Sequence, residues 1–149
     1  MTPVHAVRHK RGAPRVPFTR ATVADVMTVG LITCAPSTPL RAVARLMAEH
    51  RVHSVFVFDD SEEDDETTRL WGIVSDLDLA AAAWVDVDAQ TAAESAVTPL
   101  VTVLKTDDPR HAAQLMAESG VSHLAVVDPI SGRPVGVVST LDIARAVAG

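Results

Sequence analysis

Hydrophobic and polar positions in this chain change period every few residues, as they do where short strands and short helices alternate. Leu40, Val43, Ala44 and Met47 fall on one face at helical spacing, and Thr38-Pro39 ahead of them reads as a cap residue followed by proline at the first helical position. Asp108-Pro109 opens a second stretch in the same way, and Gly120 after it suits a left-handed helix cap. Before these helices, "LITC" and "LVTV" predict short strands. After them, "HSVFVF" with "LWGIVS" and "HLAVV" with "PVGVVS" predict two further strands each. "LDLAAAAW" and "LDIARAVA" predict closing helices. "TVADVMT", where Thr22 and Asp25 have the spacing of a capping box, predicts a short leading helix. The expected unit is β-α-β-β-α behind that leading helix.

The unit occurs twice. Shifted by 69 residues, "RLMAEHRVHSVFVFD" lies over "QLMAESGVSHLAVVD" without a gap, and Leu46, Met47, Ala48, Glu49, Val52, Val57 and Asp59 find identical partners. The shift then becomes 64, and Gly72, Val74, Ser75, Leu77 and Asp78 fall on Gly136, Val138, Ser139, Leu141 and Asp142. The difference is a loop, acidic "DSEEDDETTR" in one copy and turn-like "PISGR" in the other. One sheet face of a lone unit would be uncovered, and two copies about an approximate twofold can bury those faces on each other. That accounts for repeated apolar letters but not for a repeated Ser and Asp.

Ser75 and Asp78, like Ser139 and Asp142, stand at the junction of an apolar strand and a helix with capping-box spacing, which is worth about 1 kcal/mol per box. The same place suits a ligand, because a helix N-terminus presents unpaired N–H groups to a phosphate and a nearby carboxylate can accept the hydroxyls of a ribose. The two readings are compatible, since Ser can cap while Asp faces outward.

Composition narrows the rest. At 149 residues the chain can bury roughly 70% of its unfolded surface, and 48% apolar against 21% charged residues is a globular balance. Aromatics are 3% with no Tyr, which removes stacking platforms for single-stranded nucleic acid. One cysteine, Cys34, allows no intrachain disulfide and points to a reducing, cytoplasmic setting. No apolar run reaches the length of a membrane span. The net charge of -6 is uneven: residues 1–20 carry five basic residues and no acid, so the remainder stands at -11. The prolines of this arm predict an extended tail, and its charge leaves nucleic-acid binding as a third class of function.

The repeated order, together with "GIVSDLDL" and "GVVSTLDI", resembles the cystathionine-β-synthase (CBS) domain in tandem, the pair called a Bateman module, over residues 22–149. The resemblance implies an α/β (α+β) fold of two β-α-β-β-α repeats related by a pseudo-twofold, with their sheets packed against each other. It divides the chain into a basic arm (1–20), a first repeat (21–85), a linker (86–90) and a second repeat (91–149). It also implies a stand-alone, non-catalytic sensor that binds AMP, ADP, ATP or S-adenosylmethionine in clefts between the repeats, with no cofactor required, a homodimer, and an effector protein the sequence does not name. By position, Asp78 and Asp142 would hold the ribose, and Ser75 and Ser139 would lie near ribose and phosphate. Thr33, Cys34 and Ala35, with Thr102, Val103 and Leu104, would line the adenine. Where some members carry His-Arg for phosphates, this chain has His53-Ser54 and Ser122-His123, which weakens the case for a triphosphate. Phe56 stands where the second copy has Ala125 and is expected to narrow the first cleft, favouring the second.

The remaining clusters carry less. The acidic loop 59–66 lacks the alternating spacing and central Gly of a calcium loop. The six histidines are scattered without zinc spacing. "GIVSD" is not a nucleophile elbow. An interaction module whose Ser and Asp serve only as caps is the alternative to a sensor.

Overall fold

A computed structural model describes residues 16–58, 70–97 and 100–149. The acidic loop and residues 1–15 of the basic arm lie outside the described residues. Phe18–Arg20, at the end of the arm, form one turn of 3-10 helix. The described residues form a mixed α/β fold with two sheets and six α-helices, in two compact units.

The first unit, Ile32–Leu100, holds a three-stranded sheet. β2 (Thr33–Cys34) runs parallel to β3 (Ser54–Phe58), which pairs antiparallel with β4 (Leu70–Ser75). α2 (Leu40–His50) crosses from β2 to β3, α3 (Asp76–Ala82) follows β4, and the short α4 (Ala92–Ser95) completes the unit. As the helical spacing requires, α2 buries Leu40, Val43 and Met47. Its start differs from expectation by one residue. Thr38 does not cap it and Pro39 is the N-cap, because the chain at Thr38-Pro39 is tied to a distant segment. Pro39 bridges Thr91, Leu40 N–H donates to the Gln90 carbonyl at 2.9 Å, and Ala92 N–H donates to the Thr38 carbonyl at 2.8 Å. In the second copy the expected start is realised: Asp108 caps α5 (Pro109–Ser119), accepting the Arg110 N–H, with Pro109 at the first position.

The second unit, Val101–Gly149 with the segment ending at Leu31, repeats the order through β5 (Thr102–Leu104), α5, β6 (His123–Val127), β7 (Pro134–Ser139) and α6 (Thr140–Ala148). The leading helix α1 (Val23–Val26) and a two-residue strand β1 (Thr28–Val29) belong here rather than to the repeat they precede. Val23 N–H donates to the Asp107 carbonyl and Ala24 N–H to the Lys105 carbonyl, and β1 lies antiparallel to β7 at the sheet edge. Val23 joins Val103, Met116, Leu124, Val126 and Val138 in one buried cluster. Gly136 makes the β1 edge possible, because a Cβ there would collide with the Thr28 carbonyl oxygen.

Gly120 ends α5 in the left-handed conformation, at φ 65°. Its repeat partner in the first unit is Arg51, which adopts the same conformation at φ 53° without glycine's freedom.

Candidate ligand site

The last residue of β4 is the N-cap of α3, and the last residue of β7 is the N-cap of α6, so the strand hands each Ser directly to a helix start. Ser75 Oγ accepts the Asp78 N–H at 3.2 Å. Asp78 Oδ2 accepts the Ser75 N–H at 2.8 Å and the Ser75 hydroxyl at 2.9 Å. In the second unit the same three bonds join Ser139 and Asp142 at 3.2, 2.8 and 3.0 Å. Both boxes are thus formed and both aspartates are positioned by them. Each box uses one carboxylate oxygen, and Oδ1 takes no part in it.

Strand pleating puts some of the other candidates on the face that carries these serines. In the first sheet Ser54 pairs Ser75, and Thr33, Phe56 and Ile73 lie in register two residues further along. In the second sheet His123 pairs Ser139, and Thr102, Ala125 and Val137 lie in register. Thr33 with Ser75, and Thr102 with His123 and Ser139, therefore share a face within their units. Cys34 and Val103 point to the opposite face.

Burial separates the equivalent positions. Thr33 is buried opposite the buried Phe56, and its Oγ1 has no hydrogen-bond partner. Thr102 is exposed opposite Ala125. Ser75 is buried and Ser139 is half-buried. Cys34 is fully buried, and burial pushes its thiol up to about 11, only partly offset by a hydrogen bond with the Thr38 side chain, so it is a neutral packing group at pH 7. Part of the backbone assigned to the adenine is already engaged: the Ala35 carbonyl accepts Thr38 N–H, and Leu104 N–H donates to Asp107 Oδ2.

His53 precedes β3, and its Nδ1 lies 3.0 Å from Asp76 Oδ2. The Asp76 N–H also donates to the His53 carbonyl. Thr140 N–H makes the matching bond to Ser122 in the second unit, where the Ser122 hydroxyl lies 2.8 Å from His123 Nδ1. Serine and histidine of the first motif thus hold separate carboxylates, Ser75 with Asp78 and His53 with Asp76. The sequence reading overlooked Asp76, and named Ser54 only as the residue after His53, not as the buried partner of Ser75. The letter after Ser75, Asp where the second copy has Thr, was the available signal. Among the described residues no three His, Cys, Asp or Glu side chains gather as a metal site, and no helix is long and apolar enough to cross a membrane.

The sequence pattern of the CBS domain matches residues 23–84 and 93–149. The chain belongs to the CBS domain family. Among solved structures, the CBS domain pair of protein MJ0100, in complex with 5'-methylthioadenosine and S-adenosyl-L-methionine, superposes with a TM-score of 0.70 at 25% identity, over 87% of this chain and 97% of that one. CBS domain protein PAE2072 from Pyrobaculum aerophilum, complexed with AMP, gives 0.70 at 27% identity, over 85% and 95%. A curated relative, protein MK0525 of Methanopyrus kandleri, is 27% identical over 81% of this chain, and the match spans 60% of that protein's length.

Proposed function

We propose that this CBS pair is a non-catalytic regulatory module that takes an adenosine-containing ligand at the Ser–Asp end of its units, the second unit being the better phosphate acceptor. The observation that carries this is the formed Ser139–Asp142 box: it positions the aspartate and leaves Oδ1 outside the box, at the end of a strand whose sheet face also carries the exposed Thr102. A ribose diol needs such a carboxylate oxygen, and the α6 N-terminus adds N–H groups for a phosphate. The first turn of α3 carries Asp76 as well as Asp78, which repels a phosphate, whereas α6 has Thr140 and Asp142. AMP, and the cationic S-adenosylmethionine, suit these surroundings better than ATP. That similar CBS pairs were solved with AMP and with S-adenosyl-L-methionine supports the reading. We assign the protein to the cytoplasm as a homodimer whose ligand biases it between states that a partner protein reads.

The test is the thermal unfolding midpoint alone and with AMP, ADP, ATP or S-adenosylmethionine. A ligand at about 100 times its dissociation constant adds roughly 2.7 kcal/mol, a rise of about 5 to 10 °C at this size. A rise with one of them supports the sensor. No rise with any of them leaves the boxes as helix caps in an interaction module.

A further inference from the structure

The two Ser–Asp boxes are alike, but the residue that opens each helix inside the box is not: Asp76 begins α3 and Thr140 begins α6. In the first unit every N–H from Ser75 to Asp78 already has an acceptor. The Ser75 N–H donates to Asp78 Oδ2, the Asp76 N–H to the His53 carbonyl and the Asp78 N–H to Ser75 Oγ. The one left over, on Leu77, donates to Asp76 Oδ1 at 2.9 Å. In the second unit the N–H groups of Ser139, Thr140 and Asp142 are taken in the same three ways. The counterpart of Leu77 is Leu141, whose N–H meets no acceptor among the described residues.

Asp76 therefore does three things that Thr140 does not. It puts a second carboxylate in the first turn, it uses the N–H that the box leaves over, and its Oδ2 lies 3.0 Å from His53 Nδ1 and engages that imidazole. A phosphate arriving there meets a negative charge and finds no backbone donor to spare. An uncharged group loses nothing by this, and a cation is attracted. The same unit still lacks a polar atom elsewhere on this sheet face. Thr33 is only 6% exposed and its Oγ1 has no hydrogen-bond partner, on the face that carries Ser54 and Ser75. Such a hydroxyl needs a polar atom that the chain does not supply.

We infer that Asp76 sets the ligand class of the first unit. That unit takes an adenosine ligand whose 5' substituent is uncharged or cationic, a thioether or a sulfonium, whereas the second unit, with Thr140, takes the 5'-phosphate. This rests on the adenosine reading above and adds to it the residue that sorts ligands by charge.

The test is calorimetric titration of the full chain with adenosine, AMP and S-adenosylmethionine. Asp142→Asn confines binding to the first unit, and Asp78→Asn confines it to the second. In the Asp142→Asn protein, S-adenosylmethionine and adenosine should bind more tightly than AMP. Adding Asp76→Thr should tighten AMP about 10-fold or more, leave adenosine within about 2-fold and weaken S-adenosylmethionine. The Asp76 side chain is 56% exposed, so this exchange leaves the fold standing. In the Asp78→Asn protein, Thr140→Asp should weaken AMP about 10-fold or more and leave adenosine unchanged. Equal changes for AMP and adenosine, no change for either, or an Asp142→Asn protein that binds none of the three would overturn the role of Asp76 and keep the adenosine reading. A wild-type protein that binds none of the three overturns the adenosine reading itself.

Discussion

Replacing Asp142 in two ways separates the cap that the structure shows from the ribose contact proposed for it. Its Oδ2 accepts from the Ser139 N–H and from the Ser139 hydroxyl, so Asp142→Ala removes both bonds at once. Losing a box of this kind costs about 1 to 2 kcal/mol, which in a chain of this size lowers the midpoint by roughly 2 to 8 °C. Alanine therefore disturbs the cap as much as any ligand and cannot by itself identify a binding residue. Asp142→Asn keeps an oxygen where Oδ2 lies and can accept the same two bonds, now without charge assistance, so about half of the loss is expected, on the order of 0.5 to 1 kcal/mol. The carboxylate that would face a ribose is lost in both variants. A hydrogen bond to a charged group contributes about 1.5 to 3 kcal/mol, so both should bind AMP about 10- to 150-fold more weakly than wild type. Thermal melts give the first quantity and calorimetric titration with AMP the second. The reasoning fails if Asp142→Asn binds AMP as wild type does, which would make the aspartate a cap alone. It also fails if Asp142→Asn is as unstable as Asp142→Ala, which would mean that the box does not hold its acceptor as observed.

Three further substitutions probe the scaffold. Arg51→Gly relieves a left-handed residue whose repeat partner is already Gly120; a gain of about 1 kcal/mol is expected, read as a midpoint higher by 2 to 4 °C, with no gain from Arg51→Ala. Gly136→Ala drives a Cβ into the Thr28 carbonyl and should cost about 1 to 3 kcal/mol, with amide exchange quickened first in β1 and β7. The Asp128 carboxyl is held down to about 2 by Lys105 Nζ at 2.7 Å and by the Ser131 and Ile130 N–H groups. Its folded value lies below the unfolded one of about 3.9, so its contribution is complete above about pH 4 and is lost as the pH falls through about 2. The midpoint difference between wild type and Asp128→Asn should shrink over that window; a constant difference from pH 5 to pH 2 would contradict it.

Elements with a clear period were legible in the sequence, and their limits were legible where the limiting residue acts locally. β4 and β7 end at their serines because those serines cap the next helix, and α5 starts at Pro109 because Asp108 caps it. The start of α2 was misjudged by one residue because Gln90, fifty residues on, takes the Leu40 N–H. The capping box of Thr22 and Asp25 is formed, yet nothing in "TVADVMT" says which sheet its helix joins. That choice rests on bonds to Lys105 and Asp107 and on the missing Cβ of Gly136, all distant in sequence. β1, at two residues, is too short to show an alternation. In the site, repetition singled out the serines and aspartates. Thr33 and Thr102 carry the same letter, and the neighbours that face them in the strand register, Phe56 and Ala125, already differed in the sequence; what the letters did not show is that Thr33 is buried and Thr102 exposed.

The two explanations of the repeated Ser and Asp predict different relations between the copies. A cap is a local device, and it acts alike wherever a strand turns into a helix; the two boxes agree to within 0.1 Å in each of their bonds. A ligand responds to everything else around the box, and there the units diverge. The first has a buried Thr33 hydroxyl with no partner and a second carboxylate, Asp76, in the helix turn. An unpaired buried hydroxyl costs about 1 to 3 kcal/mol unless some polar atom meets it, and the extra carboxylate favours a ligand that is neutral or cationic. The second unit has an exposed Thr102, the small Ala125 and a turn with Thr140 in place of that carboxylate, which is the more tolerant setting for a phosphate. Equal caps in unequal surroundings are what a pair of sites tuned to different adenosine ligands would require, and titrating each unit's aspartate variant with AMP and with S-adenosylmethionine distinguishes that from a repeat whose exposed positions differ without a ligand.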